Sequence, residues 1–152
     1  MIEAGQPAPD FTLRDQDGEE VTLSELRGGK VLLVFYPMDF SPVCADQLSI
    51  YQEVKPELDA NGVRMLGISV DHGFAHQAFR EKLGIDTTLL ADFEPKGEVA
   101  RAYGAYVEGR GHANRSLVLV DEAGTVEWVH ESPTPLEIPG ANLIFDALAQ
   151  PA

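Results

Sequence analysis

The sequence predicts an α/β fold, with a mixed central sheet, helices on both faces and an N-terminal hairpin. Strand-like and helix-like segments alternate through the middle of the chain, which predicts parallel strands joined by helices. Short strand pairs separated by turn residues occur near both ends, and these predict antiparallel additions to the sheet. Of the 152 residues 44% are hydrophobic, which is ordinary for a globular domain of this length.

The first third of the chain supplies a hairpin and a buried strand. Residues 11–13 and 21–23 are short alternating segments on either side of residues 15–18, Asp-Gln-Asp-Gly, which is typical of a hairpin turn. Residues 24–27 predict a short helical turn that two glycines end. Residues 31–36 form a continuous apolar run, so we expect a strand that is buried on both faces.

A helix should follow this strand after a short turn. Ser41 is a favoured N-cap residue and Pro42 is a favoured first helical residue, which puts Cys44 at the third helical position. Pro56 lies inside the same helical pattern. Because proline lacks the N–H group that a helix interior needs, we expect it to kink the helix or end its first half near Lys55.

The remaining segments continue the alternation. Residues 63–70 predict a strand that a right-handed crossover makes parallel to the buried one. The later predictions are a helix at 76–83, a strand at 87–90, a helix at 95–103, strands at 115–120 and 125–130, and a helix at 137–149. Since no linker or internal repeat interrupts the pattern, residues 1–152 are expected to form a single domain.

The charge balance excludes several classes of partner. Acidic residues outnumber basic ones and give a formal net charge of −14, which argues against binding to nucleic acid and to anionic membrane surfaces. No apolar run approaches the ~20 residues of a membrane-spanning helix. Residues 1–5 lack the basic region and apolar core of a signal peptide, so a cytoplasmic location is expected.

Cys44 is the only cysteine in the chain. A single thiol excludes an intrachain disulfide, a Cys-x-x-Cys exchanger and a zinc site with several thiolates. The spacing of His72 and His76 suggests a metal pair, but a loop at His72 would separate the two rings. We therefore favour a solvated helix beginning at His76, and we expect neither a metal nor another cofactor.

The position predicted for Cys44 has chemical consequences. The first turn of a helix has free N–H groups and a positive dipole, which stabilise a thiolate by roughly 0.3–1 kcal/mol. A cation at ~4 Å would contribute about 4 kcal/mol at an effective dielectric constant of ~20, before desolvation. A reactive Cys44 therefore needs an arginine or lysine from elsewhere in the chain. A lone cysteine is often only a small buried apolar side chain. The position of Cys44 after the carboxyl end of a sheet strand, where ligands bind in α/β folds, favours a functional site instead.

At these residues the chain resembles a known family. Pro37, Ser41 and Cys44 form a Pro-x-x-x-Ser-x-x-Cys pattern that is similar to the peroxidatic motif of the peroxiredoxins, the alkyl hydroperoxide reductase/thiol-specific antioxidant family. Within that family the chain most resembles the E-type alkyl hydroperoxide reductases, a one-cysteine group. The similarity runs from about residue 5 to about residue 148 and includes residues 8–13, 89–92, 102–104 and 114–121. It implies a thioredoxin-like fold and a homodimer.

The resemblance also implies a role for each matching residue. Cys44 takes the place of the nucleophile, and Arg115 takes the place of the arginine beside the sulfur. Ser41 takes the place of the hydroxyl that hydrogen-bonds the thiolate and the bound peroxide, and Pro37 takes the place of the residue that shields the thiolate from water. Gln47 stands where many relatives have a glutamate that contacts the arginine.

The activity that the resemblance implies is the thiol-dependent reduction of hydrogen peroxide and organic hydroperoxides. Cys44 would become a sulfenic acid that an external thiol or a redoxin reduces, because Ser49 occupies the position of an internal resolving cysteine. One alternative is a non-catalytic redox sensor that signals through mixed disulfides at Cys44. Another is an inert domain with a buried thiol. Steady turnover of peroxide distinguishes the enzyme from both.

Overall fold

The computed structural model describes residues 1–150 and contains a sheet of seven strands. The strands are β1 (Thr12–Arg14), β2 (Glu20–Thr22), β3 (Lys30–Phe35), β4 (Val63–Ser69), β5 (Thr88–Ala91), β6 (Tyr106–Val107), β7 (His112–Ala113), β8 (Ser116–Val120) and β9 (Val126–Glu131). The α-helices are α1 (Pro42–Ala60), α2 (Gly73–Leu83), α3 (Glu98–Ala102) and α4 (Ala141–Ala149), and a 3₁₀ turn spans Leu23–Leu26.

The sheet is mixed, as the sequence predicts. Its strand order is β2-β1-β5-β4-β3-β8-β9, and β6 and β7 form a separate ribbon. Strand β4 is parallel to both β3 and β5, whereas β1, β2, β8 and β9 pair antiparallel to their neighbours. The predicted N-terminal hairpin is β1–β2, and β3 lies in the interior of the sheet, between its neighbours β4 and β8.

Helices cover both faces of this sheet, which confirms the prediction. Leu33 and Phe35 of β3 point to a core that includes α3, whereas Leu32 and Val34 point to a core that includes α1 and α4. All four side chains are fully buried, and each contributes about 1.5–3 kcal/mol to folding. Among residues 1–150, no helix combines the length and the hydrophobicity needed to cross a lipid bilayer.

Of the two outcomes predicted for Pro56, the end of the first half of the helix near Lys55 is wrong. Helix α1 continues through Pro56 to Ala60. A proline in a helix interior removes one backbone hydrogen bond and costs about 3 kcal/mol. Tyr51 and Leu58, on either side of it, are fully buried against the sheet, and this packing keeps the second half of the helix in place. The predicted start, with Ser41 as N-cap and Pro42 first, is confirmed.

The prediction of a solvated helix beginning at His76 is also wrong. Helix α2 begins at Gly73, and His72 is its N-cap, with Nδ1 accepting a hydrogen bond from the Phe74 N–H at 3.2 Å. His76 is fully buried, and both of its ring nitrogens face polar atoms of the protein interior. Helix α2 packs against Tyr36 and Cys44 through the fully buried Phe79.

Two later helices are shorter than predicted. The helix expected at 95–103 begins only at Glu98, because Gly97 adopts a left-handed conformation with φ of 70°. The helix expected at 137–149 begins at Ala141, after Gly140 in an extended conformation. The Pro139 carbonyl accepts a hydrogen bond from the Tyr51 hydroxyl at 2.7 Å, which fixes the preceding segment against α1.

Asp92 caps α3 from the end of β5. Its carboxylate accepts hydrogen bonds from the backbone N–H groups of Val99 (3.0 Å) and Ala100 (2.9 Å). Burial raises the pKa of Asp92, the two N–H groups oppose this shift, and the charge of Glu98 adds to it. The folded protein therefore binds more protons than the unfolded chain at pH values above the ordinary pKa of 3.8.

We expect the stability that Asp92 contributes to fall as the pH rises from 3.8 through its raised folded pKa. Urea unfolding of the wild type and Asp92→Asn over the weakly acidic range measures this dependence. The unfolding free energy of the wild type relative to the variant should decrease across this range. A difference that stays constant or increases with pH would contradict the expected shift.

Candidate active site

The segment 37–44 connects the end of β3 to the first turn of α1. Ser41 has φ of −64° and ψ of 134°, and its carbonyl accepts a hydrogen bond from the Ala45 N–H at 2.9 Å. Cys44 is thus the third residue of the helix, as the sequence predicts. The unpaired N–H groups and the positive end of the α1 dipole lie at the cysteine.

Cys44 lies beside Arg115, which is 71 positions away in the sequence. Arg115 Nη2 donates a hydrogen bond to Cys44 Sγ at 3.4 Å. The side chain of Cys44 is fully buried, and Arg115 is only 2% exposed. The arginine therefore places a positive charge beside the sulfur, away from bulk solvent, where screening is weak.

The sheet explains how these two residues meet. Strands β3 and β8 are antiparallel neighbours, and Phe35 at the end of β3 pairs with Ser116 at the start of β8. Arg115 directly precedes Ser116, so it lies outside the strand that was expected to begin with it. The end of β3 also leads into the segment that carries Cys44, and the two chain segments consequently reach the same edge of the sheet.

Arg115 makes two more hydrogen bonds, both to neutral oxygens. Nη1 donates to Gln47 Oε1 at 2.5 Å, and Nε donates to the Pro135 carbonyl at 2.8 Å. Within residues 1–150, no carboxylate lies within 4 Å of the guanidinium. A buried cation without a counter-charge is costly. In the described part of the chain, Cys44 is therefore the one side chain hydrogen-bonded to Arg115 that could supply a negative charge.

Gln47 and Tyr51 follow Cys44 along the buried side of α1. Gln47 is fully buried, and its Nε2 has no hydrogen-bond partner. Burial raises the pKa of Tyr51 to about 12, although Gln47 and Arg115 both oppose the shift. Tyr51 is thus a neutral hydrogen-bond donor at physiological pH, and Gln47 adds no charge. On the buried side of α1, the immediate surroundings of Cys44 and Arg115 are electrically neutral.

Pro37 and Ser41 lie at the two ends of the turn that precedes the helix. Pro37 is buried, and Ser41 is half-buried and makes no capping hydrogen bond through its side chain. Between them, Phe40 adopts φ of 69°, an unusual left-handed conformation for a residue other than glycine. Such strain persists only where the surrounding contacts hold the backbone in place.

Those contacts come from a buried polar network around Asp39 that sequence patterns did not indicate. Asp39 Oδ1 accepts a hydrogen bond from the Tyr36 hydroxyl at 2.6 Å, and Oδ2 lies 2.7 Å from His76 Nδ1. The Asp39 N–H donates to Asp71 Oδ2 at 2.8 Å, and the Ser69 hydroxyl donates to the same oxygen at 2.5 Å. No local pattern relates these residues, because the sheet and α2 bring them together.

The site contains no evident place for a metal ion. Within residues 1–150, no group of three or more His, Cys, Asp or Glu side chains has the arrangement needed to hold one. A separate cavity of about 540 Å³ lies between the β1–β2 hairpin and the start of α2, and its lining includes Arg14, His72, Phe74 and Phe93. Cys44 and Arg115 do not line this cavity.

Comparison with known proteins identifies relatives across nearly the whole chain. A profile of the AhpC/TSA family matches residues 4–129. Alkyl hydroperoxide reductase E of Mycobacterium tuberculosis is 40% identical over 150 residues, which is 98% of this chain and 97% of the relative. A putative peroxiredoxin, bcp, of Coxiella burnetii is 39% identical over 134 residues, 84% of this chain and 87% of the relative.

Solved structures of other proteins share this fold. AhpC of Enterococcus faecalis superposes with a TM-score of 0.88 at 26% identity and covers 98% of this chain and 92% of its own. Peroxidoxin BcpB of Mycobacterium tuberculosis gives a TM-score of 0.85 at 26% identity and covers 97% of both chains. The thioredoxin-like fold that the sequence motifs implied is therefore confirmed.

The names of these relatives describe reductases and peroxiredoxins, which favours the enzyme over the redox sensor. A single cysteine in the sequence fits the one-cysteine type. Because the family profile and the relatives cover most of the chain, the protein belongs to the AhpC/TSA family and is a one-cysteine thiol peroxidase of the peroxiredoxin class.

Proposed function

We propose that Cys44 is the nucleophile of this peroxidase and that Arg115, Ser41 and Pro37 complete its active site. The observation that carries the proposal is the 3.4 Å hydrogen bond from Arg115 to the sulfur, at a site where none of the described residues offers the guanidinium a carboxylate. A buried arginine held in this way favours the thiolate over the thiol, and the thiolate is the nucleophilic form.

The reaction then proceeds by attack of the Cys44 thiolate on one peroxide oxygen. A sulfur–oxygen bond forms and the oxygen–oxygen bond breaks, so that two electrons pass from sulfur to the peroxide. The departing hydroxide or alkoxide takes up a proton, and the sulfur is left as a sulfenic acid. Arg115, the Ser41 hydroxyl and the free N–H groups of the first turn of α1 stabilise the charge that develops on the departing oxygen. Pro37 excludes water from the thiolate.

An external thiol completes the cycle. The sequence contains no second cysteine, so the sulfenic acid cannot form an internal disulfide. A small thiol or a redoxin would condense with it to a mixed disulfide and release water. A second thiol would then restore Cys44. The substrates that we propose are hydrogen peroxide and organic hydroperoxides.

Reaction of the reduced protein with hydrogen peroxide or an organic hydroperoxide tests this function. We expect loss of one thiol per chain at a rate far above that of free cysteine, and steady peroxide consumption when a thiol or redoxin is supplied. Rapid-quench alkylation with mass spectrometry measures the first step, and Cys44→Ser is the inactive control. A rate equal to that of free cysteine would refute the assignment.

We also propose that residues 1–152 act as one domain, as a homodimer in the cytoplasm. A one-cysteine peroxidase depends on a supply of external thiols, which the cytoplasm provides. Exposed apolar side chains, Phe40, Phe74 and Phe93 among them, support a partner surface, since they are 46%, 80% and 47% exposed. Light scattering coupled to size-exclusion chromatography distinguishes one copy from two.

A further inference from the structure

We propose that Asp39 and His76 form a buried ion pair that positions the segment carrying Cys44 for reaction with peroxide. They are positioning residues, because neither has a hydrogen bond to Cys44, Arg115 or Gln47. The inference rests on the proposed function, since positioning matters only if Cys44 reacts. The charges of the two residues depend on the number of protons that the pair holds and on the atoms that carry these protons.

His76 faces an acceptor with each ring nitrogen. Nε2 lies 3.0 Å from the Leu90 carbonyl oxygen, which can only accept a hydrogen bond, so Nε2 carries a proton. Nδ1 lies 2.7 Å from Asp39 Oδ2. If neither atom of this second contact carried a proton, two lone pairs would oppose each other in a site without solvent. The pair therefore holds one proton between Nδ1 and Oδ2.

The other contacts of Asp39 place that proton on the histidine. Asp39 Oδ1 already accepts a hydrogen bond from the Tyr36 hydroxyl at 2.6 Å. Burial raises the pKa of Tyr36 well above its ordinary value, so the hydroxyl remains a donor. A carboxylate that accepts one hydrogen bond from Tyr36 and another from an imidazolium has a partner for each oxygen, and the second bond is strengthened by the opposite charges. If Asp39 were neutral, its carboxyl group would have to donate a hydrogen bond to His76, and the contact would lack the attraction between opposite charges.

Other charged groups around the pair are few. The Asp71 carboxylate receives the Asp39 N–H, and burial raises the pKa of Asp71 while the hydrogen bond from Ser69 opposes the shift. The Asp39 charge also raises that pKa, and the His76 charge lowers it. On the outer side, Lys82 Nζ lies 5.6 Å from the centre of the Phe40 ring. An imidazolium is thus the natural counter-charge for two neighbouring carboxylates.

The pair fixes the reactive segment at its middle. Through side chain and backbone, Asp39 is attached to the end of β3, the residues after β4, and α2. The next residue, Phe40, has the left-handed backbone, and Ser41 and the first turn of α1 follow it. A shift of Asp39 would consequently move the Ser41 hydroxyl and the helix N–H groups relative to the sulfur, although no atom of the pair touches the peroxide.

Nuclear magnetic resonance of the ¹⁵N-labelled histidine rings tests the proton assignment without any measurement of activity. We expect both ring nitrogens of His76 to carry protons at neutral pH. His72 is an internal control, because its Nδ1 accepts the Phe74 N–H and should therefore be unprotonated. His76→Gln identifies the His76 signals. A neutral His76 ring at that pH would overturn the ion pair, whether or not Cys44 reacts with peroxide.

Kinetics of Cys44 oxidation test the positioning role. In His76→Gln the amide cannot donate to both Asp39 and Leu90 in the original directions, and we expect peroxide oxidation to slow by about tenfold. The double variant Asp39→Asn with His76→Gln replaces the ion pair by two amides, in which the N–H group of one side chain can donate a hydrogen bond to the oxygen of the other. This double variant should recover most of the lost rate. His130→Gln, on a half-buried histidine of β9, is the matched control and should react like the wild type.

A purely structural pair would give a different result. If His76→Gln lowers the melting temperature but the folded protein reacts at the wild-type rate, the positioning role is wrong. Should His76→Gln fail to fold, Asp39→Asn provides a second test of the ion pair. The new side-chain amide can donate a hydrogen bond to a neutral His76 ring, so that every polar group keeps a partner. In that variant we expect the His76 ring to carry a single proton, on the Nε2 that faces the Leu90 carbonyl. A doubly protonated ring in Asp39→Asn would reject the proposal.

Discussion

Arg115→Ala is expected to slow oxidation of Cys44 by hydrogen peroxide by about two to three orders of magnitude, the usual effect of removing one donor from a developing oxyanion. The variant loses the 3.4 Å hydrogen bond to the sulfur and the only cation in contact with it in the described chain. Both the thiolate and the departing oxygen then lack their main electrostatic partner. Stopped-flow or rapid-quench measurement of thiol loss under excess peroxide gives the rate.

Two further variants control for changes that are not specific to the site. Arg64→Ala removes an exposed arginine of β4 and should leave the rate unchanged. Arg115→Lys keeps the charge, but the lysine cannot donate hydrogen bonds to Cys44, Gln47 and Pro135 at the same time. Its oxidation rate should therefore lie between those of the alanine variant and the wild type. If folded Arg115→Ala reacts as fast as the wild type, Arg115 is not the partner of the thiolate.

Gln47→Glu is expected to lower the reactive thiolate fraction at neutral pH by up to about a hundredfold. It places a carboxylate of nearly the same shape against Arg115 Nη1, where Gln47 Oε1 now accepts a 2.5 Å hydrogen bond. The carboxylate competes with the thiolate for the guanidinium, and a new charge at ~6 Å from the sulfur repels it by about 3 kcal/mol at an effective dielectric constant of ~20. The ultraviolet absorbance of the thiolate at neutral pH measures the change.

The oxidation rate provides an independent reading of the same variant. Peroxide oxidation of Gln47→Glu at neutral pH should decline together with the thiolate fraction. Gln47→Met removes the acceptor without adding charge, and its thiolate fraction should stay near that of the wild type. Equal thiolate fractions in Gln47→Glu and the wild type would show that the neutrality of Gln47 has no electrostatic importance.

The parts of the site that depend on neighbouring residues could be predicted from the sequence. Ser41 and Pro42 specify where α1 begins, and this local signal alone puts Cys44 in the first turn. The apolar run before them specifies the buried strand β3 in the same way. Pro56 shows the limit of such reasoning, because its local cost is outweighed by burial of Tyr51 and Leu58 against the sheet.

Contacts between distant residues could not be obtained from local patterns. Asp39 and His76 are 37 positions apart, and only the packing of α2 beside the end of β3 brings them within hydrogen-bonding distance. Local periodicity therefore assigned His76 to a solvated helix face. Arg115 and Cys44 are 71 positions apart, and a family resemblance rather than the local sequence around Arg115 indicates their pairing. For such pairs the fold has to be known before the chemistry can be inferred.

The neutral surroundings of Arg115 have a consequence for the oxidised protein. In the reaction proposed above, oxidation converts an anionic sulfur into an uncharged sulfenic acid, so the sealed guanidinium would lose its counter-charge. Because a buried cation without a counter-charge is costly, the oxidised protein should be less stable than the reduced one.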